Sequence, residues 1–249
     1  MKATNINEVV DLLELIIIDS KNENDPLGYF AALYQTVTMK VREDIGKGVF
    51  QDDKRMERLD VTFANRYLEA YSDYKTGKTV TASWLRSFQL SKKYRPIVLQ
   101  HLLMGMNAHI NLDLGIAVAE ITAPQNIDDL QADFNKLNDI LAKLVEGVEQ
   151  DLSKIWPRLI WILKATKRID DFLINFSMKV ARDGAWSFAK ELVGKTPAEK
   201  NELILRKDVE VANFSRIISH PGLIINIILG IVRLGERGTV ADKIKALES

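Results

Sequence analysis

The stretch HLLMGMNAHINLDLG, from His101 to Gly115, places polar side chains within an otherwise apolar run. On a helical wheel, leucine, methionine and other apolar residues fill almost every direction of this segment. A helix that is apolar on nearly every side is normally buried in the middle of a protein. Buried polar groups cost roughly 1–3 kcal/mol each unless they find partners. The histidines, asparagines and aspartate of this stretch are therefore the first candidates for a functional site.

Helical periodicity extends outward from this segment to nearly the whole chain. Apolar residues recur at spacings of three and four, and helix breakers fall about every 15 to 30 residues. The predicted helices run from about Asn5 to Ser20, Leu27 to Ile45, Asp53 to Tyr74, Thr81 to Leu90, Pro96 to Ile121, Ile127 to Ile155, Thr166 to Leu192, Pro197 to Ser219 and Pro221 to Leu234, with a short last helix after Thr239. Evidence for strands is poor. We therefore predict a single all-α domain over residues 1–249, a bundle of eight to ten helices around a buried central helix.

The composition narrows the classes of function. The chain has 249 residues, and its 34 basic residues cancel its 34 acidic ones, so no basic excess points to nucleic acid or to a membrane surface. The absence of cysteine excludes disulfides, thiolate metal sites and a cysteine nucleophile. The N-terminus does not read as a signal peptide, and Leu223 to Leu234 is too short to span a bilayer. We expect a cytoplasmic protein with no membrane span.

The polar residues of the central helix form two groups on the wheel. His109 and Asp113 lie within about 40° of each other, and Asn107 and Asn111 lie on the opposite side. His101 is about 12 Å along the axis from His109, which is too far for both to bind one ion. Between the two groups a largely small-residue stripe offers room for another helix to approach; it comprises Gly105, Ala108, Leu112, Gly115 and Ala119.

The spacing of His109 and Asp113 has more than one interpretation. Residues four apart face the same way, so the carboxylate can hold the imidazole in one tautomer, or both side chains can bind a metal ion. A third hypothesis is a satisfied polar core, in which His109 and Asp113 pair with each other or with an arginine while the asparagines tie helices together. The HxxxD pattern alone does not choose among them, and further metal ligands would have to come from other segments.

A second candidate carboxylate lies in the third predicted helix. Asp60 shares its face with apolar and aromatic residues, among them Tyr67, so it should be buried and need a partner. Arg66 lies on another side of the same helix, where it can serve a different helix or bind an anionic substrate group. We predict that Asp60 meets His109 and Asp113 at one site. Without a metal, His109 would then be held between carboxylates with a raised pKa.

Four segments together resemble the DUF5995 family of bacterial proteins: GYFAALYQTVTMKV, MERLDVTFANRYLEA, RPIVLQHLLMGMNAHINLDLG and VARDGAWSFAKEL. The resemblance covers roughly Gly28 to Leu192 and is most specific in LQHLLMGMNAHINLDL. It implies an all-helical, unexported bacterial protein, and it gives no reaction. The positions to which it points are Asp60, Arg66, His101, Asn107, His109, Asn111 and Asp113.

These observations leave three classes of function open. The first is an enzyme using metal-assisted or His/Asp acid–base hydrolysis, with His109, Asp113, Asp60 and Arg66 as its catalytic residues. In the metal-assisted form, a divalent metal would be the cofactor, held by His109, Asp113 and Asp60. The second is a binding module for an apolar or lipid-like small molecule, in a pocket lined by His101, Asn107, Asn111 and Tyr67. The third is a structural protein whose polar core sets the helix register. The sequence specifies neither a partner protein nor an oligomeric state.

Overall fold

The computed structural model describes residues 1–122, 126–137, 139–140 and 178–248. Within these ranges the regular structure is helical and contains no strand, which confirms the all-α prediction. The helices are α1 (Ile6–Glu23), α2 (Gly28–Asp44), α3 (Asp53–Lys75), α4 (Ala82–Leu90), α5 (Val98–Ala108), α6 (Gly115–Thr122), α7 (Met178–Leu192), α8 (Pro197–Ser219), α9 (Leu223–Gly235) and α10 (Val240–Leu247). A π-helical turn, His109–Leu114, joins α5 to α6, and the three together form the central helix.

Most helix ends fall where the sequence predicts them. Asn5 accepts a hydrogen bond from the backbone of Glu8 at the start of α1, and Thr239 caps α10. α9 begins at Leu223 instead of Pro221, because Gly222 adopts φ 97°, which is incompatible with a helical turn. The predicted helix from Ile127 appears as a 3-10 turn, Ile127–Leu130, followed by helical residues 131–137. Residues 139–140 are also helical. The rest of this predicted helix, and the start of the helix predicted from Thr166, lie outside the described residues.

The start of α4 is held by a distant carboxylate. Thr81 precedes the helix, but its side chain accepts no capping hydrogen bond. The buried Asp208 of α8 instead accepts hydrogen bonds from the backbone N–H groups of Ala82 and Ser83, at 2.6 and 2.9 Å. These two N–H groups have no partner within the helix, and a carboxylate satisfies both while complementing the positive end of the helix dipole.

The central helix is buried, as its composition predicts. The residues expected in the core are all at most 8% exposed, namely Leu102, Leu103, Met106, Ile110, Leu114 and Ile116. α2, α3, α4, α7 and α8 pack around it. The small-residue stripe permits close approach: a Cβ at Gly105 would lie 2.4 Å from the Phe30 ring, and one at Gly115 would lie 2.9 Å from the carbonyl oxygen of Ala185. Glycine is required at both positions because of this contact.

By length and composition, the central helix is also apolar enough to cross a membrane. However, 94% of its most apolar window is buried inside the protein, as is usual for a core helix. α8 and α9 pass the same test only as a pair, and they are bent by 67° at the break between them. The distribution of burial therefore favours a core role for the central helix.

Candidate functional site

The first candidate pair lies on the π-helical turn of the central helix. His109 begins this turn, and Asp113 lies four residues later. π-helical turns are rare and occur frequently at functional sites. The wider turn rotates the residues that follow it away from their positions on an ideal α-helical wheel. Helical-wheel angles that compare residues before His109 with residues after it are therefore inaccurate. The contact between His109 and Asp113, four residues apart, is nevertheless present.

The Asp113 carboxylate connects three helices. Its Oδ1 accepts a hydrogen bond from Arg66 Nε of α3 at 3.2 Å, and its Oδ2 accepts one from Trp84 Nε1 of α4 at 2.8 Å. His109 Nδ1 lies 3.2 Å from the same Oδ2. The side chain of Asp113 is 1% exposed, whereas that of Arg66 is 27% exposed. A buried charge is therefore compensated by one cation and two further N–H groups.

The contact with Asp113 fixes the tautomer of His109. A carboxylate can only accept hydrogen bonds, so the proton of a neutral imidazole lies on Nδ1 and leaves the Nε2 lone pair free. Burial lowers the pKa of His109; the hydrogen bond and charge of Asp113 oppose this shift, while Arg66 adds to it. The expected rise in its pKa is therefore wrong. The reason is that the imidazole is enclosed by aromatic rings and faces one carboxylate whose charge Arg66 already balances.

Aromatic side chains surround the imidazole on several sides. Phe63 stacks on it with ring centroids 3.6 Å apart and planes 8° from parallel. Tyr34 approaches at 4.6 Å and Phe30 at 5.7 Å, both edge-on, and Trp84 and Tyr67 lie at 6.0 and 6.2 Å. These rings exclude water from His109, and this exclusion favours the neutral imidazole over the charged one.

Several buried polar atoms of this region have no hydrogen-bond partner among the described residues. They include His109 Nε2, Tyr34 Oη, Tyr67 Oη and Asp60 Oδ2. Burial is the largest cause of the raised pKa of Tyr34, and the charges of Asp60 and Asp113 raise it further. Unpaired buried polar groups are costly, so each such group requires an explanation, such as a ligand, a water molecule or a catalytic role.

Asp60 is buried, as predicted, but it does not join the pair directly. No hydrogen bond or ion pair connects it to His109 or Asp113 in the part of the chain described. Burial raises the pKa of Asp60 to about 7, with a further contribution from the charge of Glu57. Around neutral pH this carboxyl group therefore exchanges between its neutral and charged forms.

The part of the chain that the structure describes holds no preformed metal centre. Among the described residues, no group of three or more His, Asp or Glu side chains could hold a metal ion. The three predicted ligands, His109, Asp113 and Asp60, therefore do not converge in the way that tetrahedral coordination requires. Asp113 already uses both oxygens, and Arg66, considered for a substrate anion, binds this internal carboxylate instead.

The asparagines on the other side of the central helix hold two helices together. Asn107 Nδ2 donates to the carbonyl oxygen of Val211 and to Ser215 Oγ of α8, each at 3.0 Å. Asn111 Nδ2 donates to Asn107 Oδ1 at 2.9 Å. The two asparagines, predicted either to tie helices together or to line a ligand pocket, make the first kind of contact.

His101 and Tyr67 share a small cavity. His101 packs edge-on against Tyr29 at 5.5 Å, and burial lowers its pKa to about 3, with smaller effects from the charges of Arg233 and Lys243. The cavity beside it has a volume of about 10 Å³ and is also lined by Phe30 and Trp84. This volume corresponds to about one water molecule.

Two contributors to the site were missed from the sequence. Trp84 donates to Asp113, and the ring of Tyr34 lies against His109. A signal existed for Trp84, since a buried indole N–H needs an acceptor and Asp113 was the buried acceptor in need of donors. Tyr34 carried no such signal, because its apolar helix face is equally typical of core packing.

Comparison with known proteins agrees with the resemblance noted in the sequence. A model described as a family of unknown function, DUF5995, matches residues 6–221. The chain belongs to the DUF5995 family. The match includes the central helix and every residue of the candidate site. No curated protein and no solved structure matches the chain, so the chemistry of this DUF5995 protein has to be inferred from its own residues.

Proposed function

We propose that this DUF5995 protein is a hydrolase in which His109 acts as the general base, oriented by Asp113. The observation that carries the proposal is the 3.2 Å contact between His109 Nδ1 and Asp113 Oδ2, combined with a buried Nε2 that has no partner among the described residues. A base held by a carboxylate on one nitrogen and free on the other is the arrangement required for proton transfer.

The proposed step uses only groups of this site. A water molecule loses a proton to His109 Nε2 while its oxygen forms a bond to the carbonyl carbon of a small ester substrate. The imidazolium then returns this proton to the alkoxide leaving group as the bond between carbon and leaving oxygen breaks. The unpaired hydroxyl of Tyr67 is a candidate donor for the developing oxyanion. Arg66 and Trp84 are positioning residues, because they hold Asp113.

The histidines offer a matched pair for testing the proposal. Hydrolysis of 4-nitrophenyl acetate would be measured for the wild type, His109→Gln and His101→Gln. A general base typically contributes about 10²- to 10⁴-fold, so His109→Gln should reduce kcat/KM by at least about 100-fold. His101→Gln replaces another buried histidine, outside the pair, and should leave the rate within about twofold. Thermal unfolding of each variant would verify its fold.

Equal rates for the wild type and His109→Gln would reject the proposal. The pH profile gives a second criterion: the base is active when neutral, and its pKa is lowered, so kcat/KM should rise with pH through a midpoint below the ordinary histidine pKa of 6.5. The assay would be repeated after dialysis against EDTA. Loss of activity there would show that the reaction depends on a metal and would reject the metal-free mechanism proposed for His109.

A structural role is the second candidate. The observation that favours it is the enclosure of the pair by aromatic rings, together with a neighbouring cavity large enough for only one water molecule. Under this alternative the carboxylate of Asp113 serves to join α3, α4 and the central helix, and His109→Gln changes stability without changing any rate. A cytoplasmic setting remains a proposal, supported by the absence of cysteine. A bacterial source and a small-molecule partner remain proposals as well.

A further inference from the structure

A second concave region lies between α4 and the C-terminal part of α8. It is a groove with a volume of about 740 Å³, which falls within the range of small-molecule sites in proteins. Its walls come from Ala82 to Leu90 of α4, from Lys93 after it and from Arg216 to His220 at the end of α8, with Met104 of the central helix between them. It is separate from the His109 and Asp113 pair.

The groove is cationic. Arg86, Lys93 and Arg216 line it, together with His220, whereas no aspartate or glutamate is among its lining residues. In the part of the chain that the structure describes, none of the first three side chains forms an ion pair. Some basic residues elsewhere are paired; Lys21, Lys75 and Arg206 each bind a glutamate. Three uncompensated charges around one groove therefore favour an anionic occupant.

The floor of the groove is apolar. Leu90 and Met104 are 3% and 2% exposed, and Leu85 and Ile217 are partly exposed at its sides, at 38% and 48%. Apolar side chains at the base of a cationic groove gain free energy when a hydrocarbon displaces water from them. Gln89 and Ser219 add neutral hydrogen-bonding groups to the wall.

We propose that this groove binds an amphiphilic organic anion, in which a phosphate or carboxylate head is attached to a hydrocarbon chain. The head would pair with Arg86, Arg216 and Lys93, and the chain would lie on Leu85, Leu90 and Ile217. Arginine suits such a head because its planar guanidinium can bind two oxygens at once. The ligand class follows from the combination of charge and apolar floor, since either feature alone would fit a different molecule.

α4 contributes both to the groove and to the support of the catalytic pair, through different residues. Trp84 donates to Asp113, while the next two residues, Leu85 and Arg86, line the groove. Substitutions in the groove can therefore be made without removing a residue of the proposed hydrolase. Failure of either proposal leaves the other intact.

Isothermal titration calorimetry with three probes would test the groove. Octyl phosphate, below its micellar concentration, carries both features; octyl glucoside has the chain without the charge, and inorganic phosphate has the charge without the chain. Octyl phosphate should bind with a Kd at least about tenfold lower than either of the others. Equal affinity for octyl glucoside, or for inorganic phosphate, would overturn the proposal.

Variants then locate the binding. Arg86→Gln combined with Arg216→Gln should weaken octyl phosphate binding by about tenfold or more. The control is Lys54→Gln combined with Arg58→Gln, which removes two exposed basic residues of α3 outside the groove and should leave the Kd within about twofold. If the double arginine variant does not fold, the same measurement would be made with Lys93→Gln, which lies in an exposed segment. Unchanged affinity in the groove variants would place the binding elsewhere and overturn the proposal.

Sedimentation with vesicles separates a free amphiphile from a membrane surface. The protein would be spun with vesicles of pure phosphatidylglycerol and of pure phosphatidylcholine. A groove for a soluble amphiphile should leave the protein in the supernatant with both. The protein could instead sediment with the anionic vesicles and lose this sedimentation in the Arg86→Gln and Arg216→Gln variant. The groove would then bind a membrane surface and not a soluble amphiphile, and the proposal in its present form would be overturned.

Discussion

The two polar clusters on opposite sides of the central helix differ in how completely they are satisfied. Asn107 and Asn111 bond to each other and to α8, through the carbonyl oxygen of Val211 and the hydroxyl of Ser215. On the other side, Asp113 is fully bonded, but the His109 Nε2 next to it is buried and unpaired within the described residues. Both clusters look alike in sequence, since each consists of polar residues four apart in an apolar helix.

This difference separates a structural contact from a candidate reactive one. A protein interior normally satisfies its polar groups, as the asparagine cluster does. In His109, one ring nitrogen is held by a carboxylate and the other has no hydrogen-bond partner among the described residues. Such an unpaired nitrogen lowers the stability of the protein, and it becomes useful only when it binds a ligand or accepts a proton. The unpaired Nε2 of His109, more than the HxxxD spacing, distinguishes the His109 and Asp113 cluster from the asparagine cluster.

The largest effect is expected from Asp113→Ala. Removing this carboxylate leaves Arg66 and the indole N–H of Trp84 without their acceptor, and breaking a buried ion pair typically costs about 3–5 kcal/mol. Urea unfolding followed by circular dichroism would measure the change in the free energy of unfolding. Asp113→Asn is the control, because its amide oxygen still accepts one hydrogen bond, so its loss should be smaller. A cost below about 1 kcal/mol for Asp113→Ala would contradict the role of Asp113 in joining three helices.

The next largest effect, that of Asp60→Asn, is expected to increase the free energy of unfolding. The pKa of Asp60 is raised in the folded protein from 3.8 to about 7, so the folded state binds this proton more tightly than the unfolded state does. The stability of the wild type is therefore eroded as pH rises from about 4 to about 7, and the penalty is complete above that range, reaching roughly 4 kcal/mol at most. Asp60→Asn removes it.

The measurement is the free energy of unfolding of Asp60→Asn relative to the wild type at pH 5 and pH 8. The variant should be more stable at both values, and its advantage should be larger at pH 8. Asp11→Asn, which changes an exposed aspartate of α1, should show neither the gain nor the pH dependence. An advantage that is the same at both pH values would show that Asp60 does not titrate between them.

A smaller and purely structural effect is expected from Asn107→Ala. The change removes one donor from the carbonyl oxygen of Val211, which keeps the Ser215 hydroxyl. It also leaves the amide of Asn111 without its acceptor, and the loss costs about 1–3 kcal/mol. Ester hydrolysis should be unaffected, because these contacts lie on the other side of the helix from His109. Asn213→Ala, at an exposed position of α8, is the stability control. A loss of hydrolysis in Asn107→Ala without unfolding would remove the distinction between the two clusters.

The sequence predicts the helical fold well, because that depends on local patterns. Apolar spacing, breakers and caps place α8 at Pro197–Ser219 and the cap of α10 at Thr239. The burial of the central helix and the pairing of His109 with Asp113 also follow from local spacing. Each of these features depends on residues a few positions apart, for which helical geometry is fixed.

The partners of the site depend on tertiary packing and are harder to predict. Arg66 turns from its own helix to Asp113, and Trp84 arrives from a helix that begins at a carboxylate of α8. The π-helical turn has no distinct sequence pattern, since its residues suit an α-helix equally well. The sign of the shift in the pKa of His109 was wrong for a related reason: Asp60 makes no hydrogen bond or ion pair to His109 among the described residues, and aromatic rings enclose the imidazole.

The capping of α4 by Asp208 has a consequence for the order in which the protein is made. A nine-residue helix is too short to be stable alone, and the carboxylate that holds its first turn lies 126 residues further along the chain from Ala82. During translation the N-terminal segments emerge first, so α3 and the central helix leave the ribosome well before α8. A nascent chain that stops before residue 208 therefore carries Trp84 on a helix whose first turn lacks the carboxylate that holds it in the finished protein.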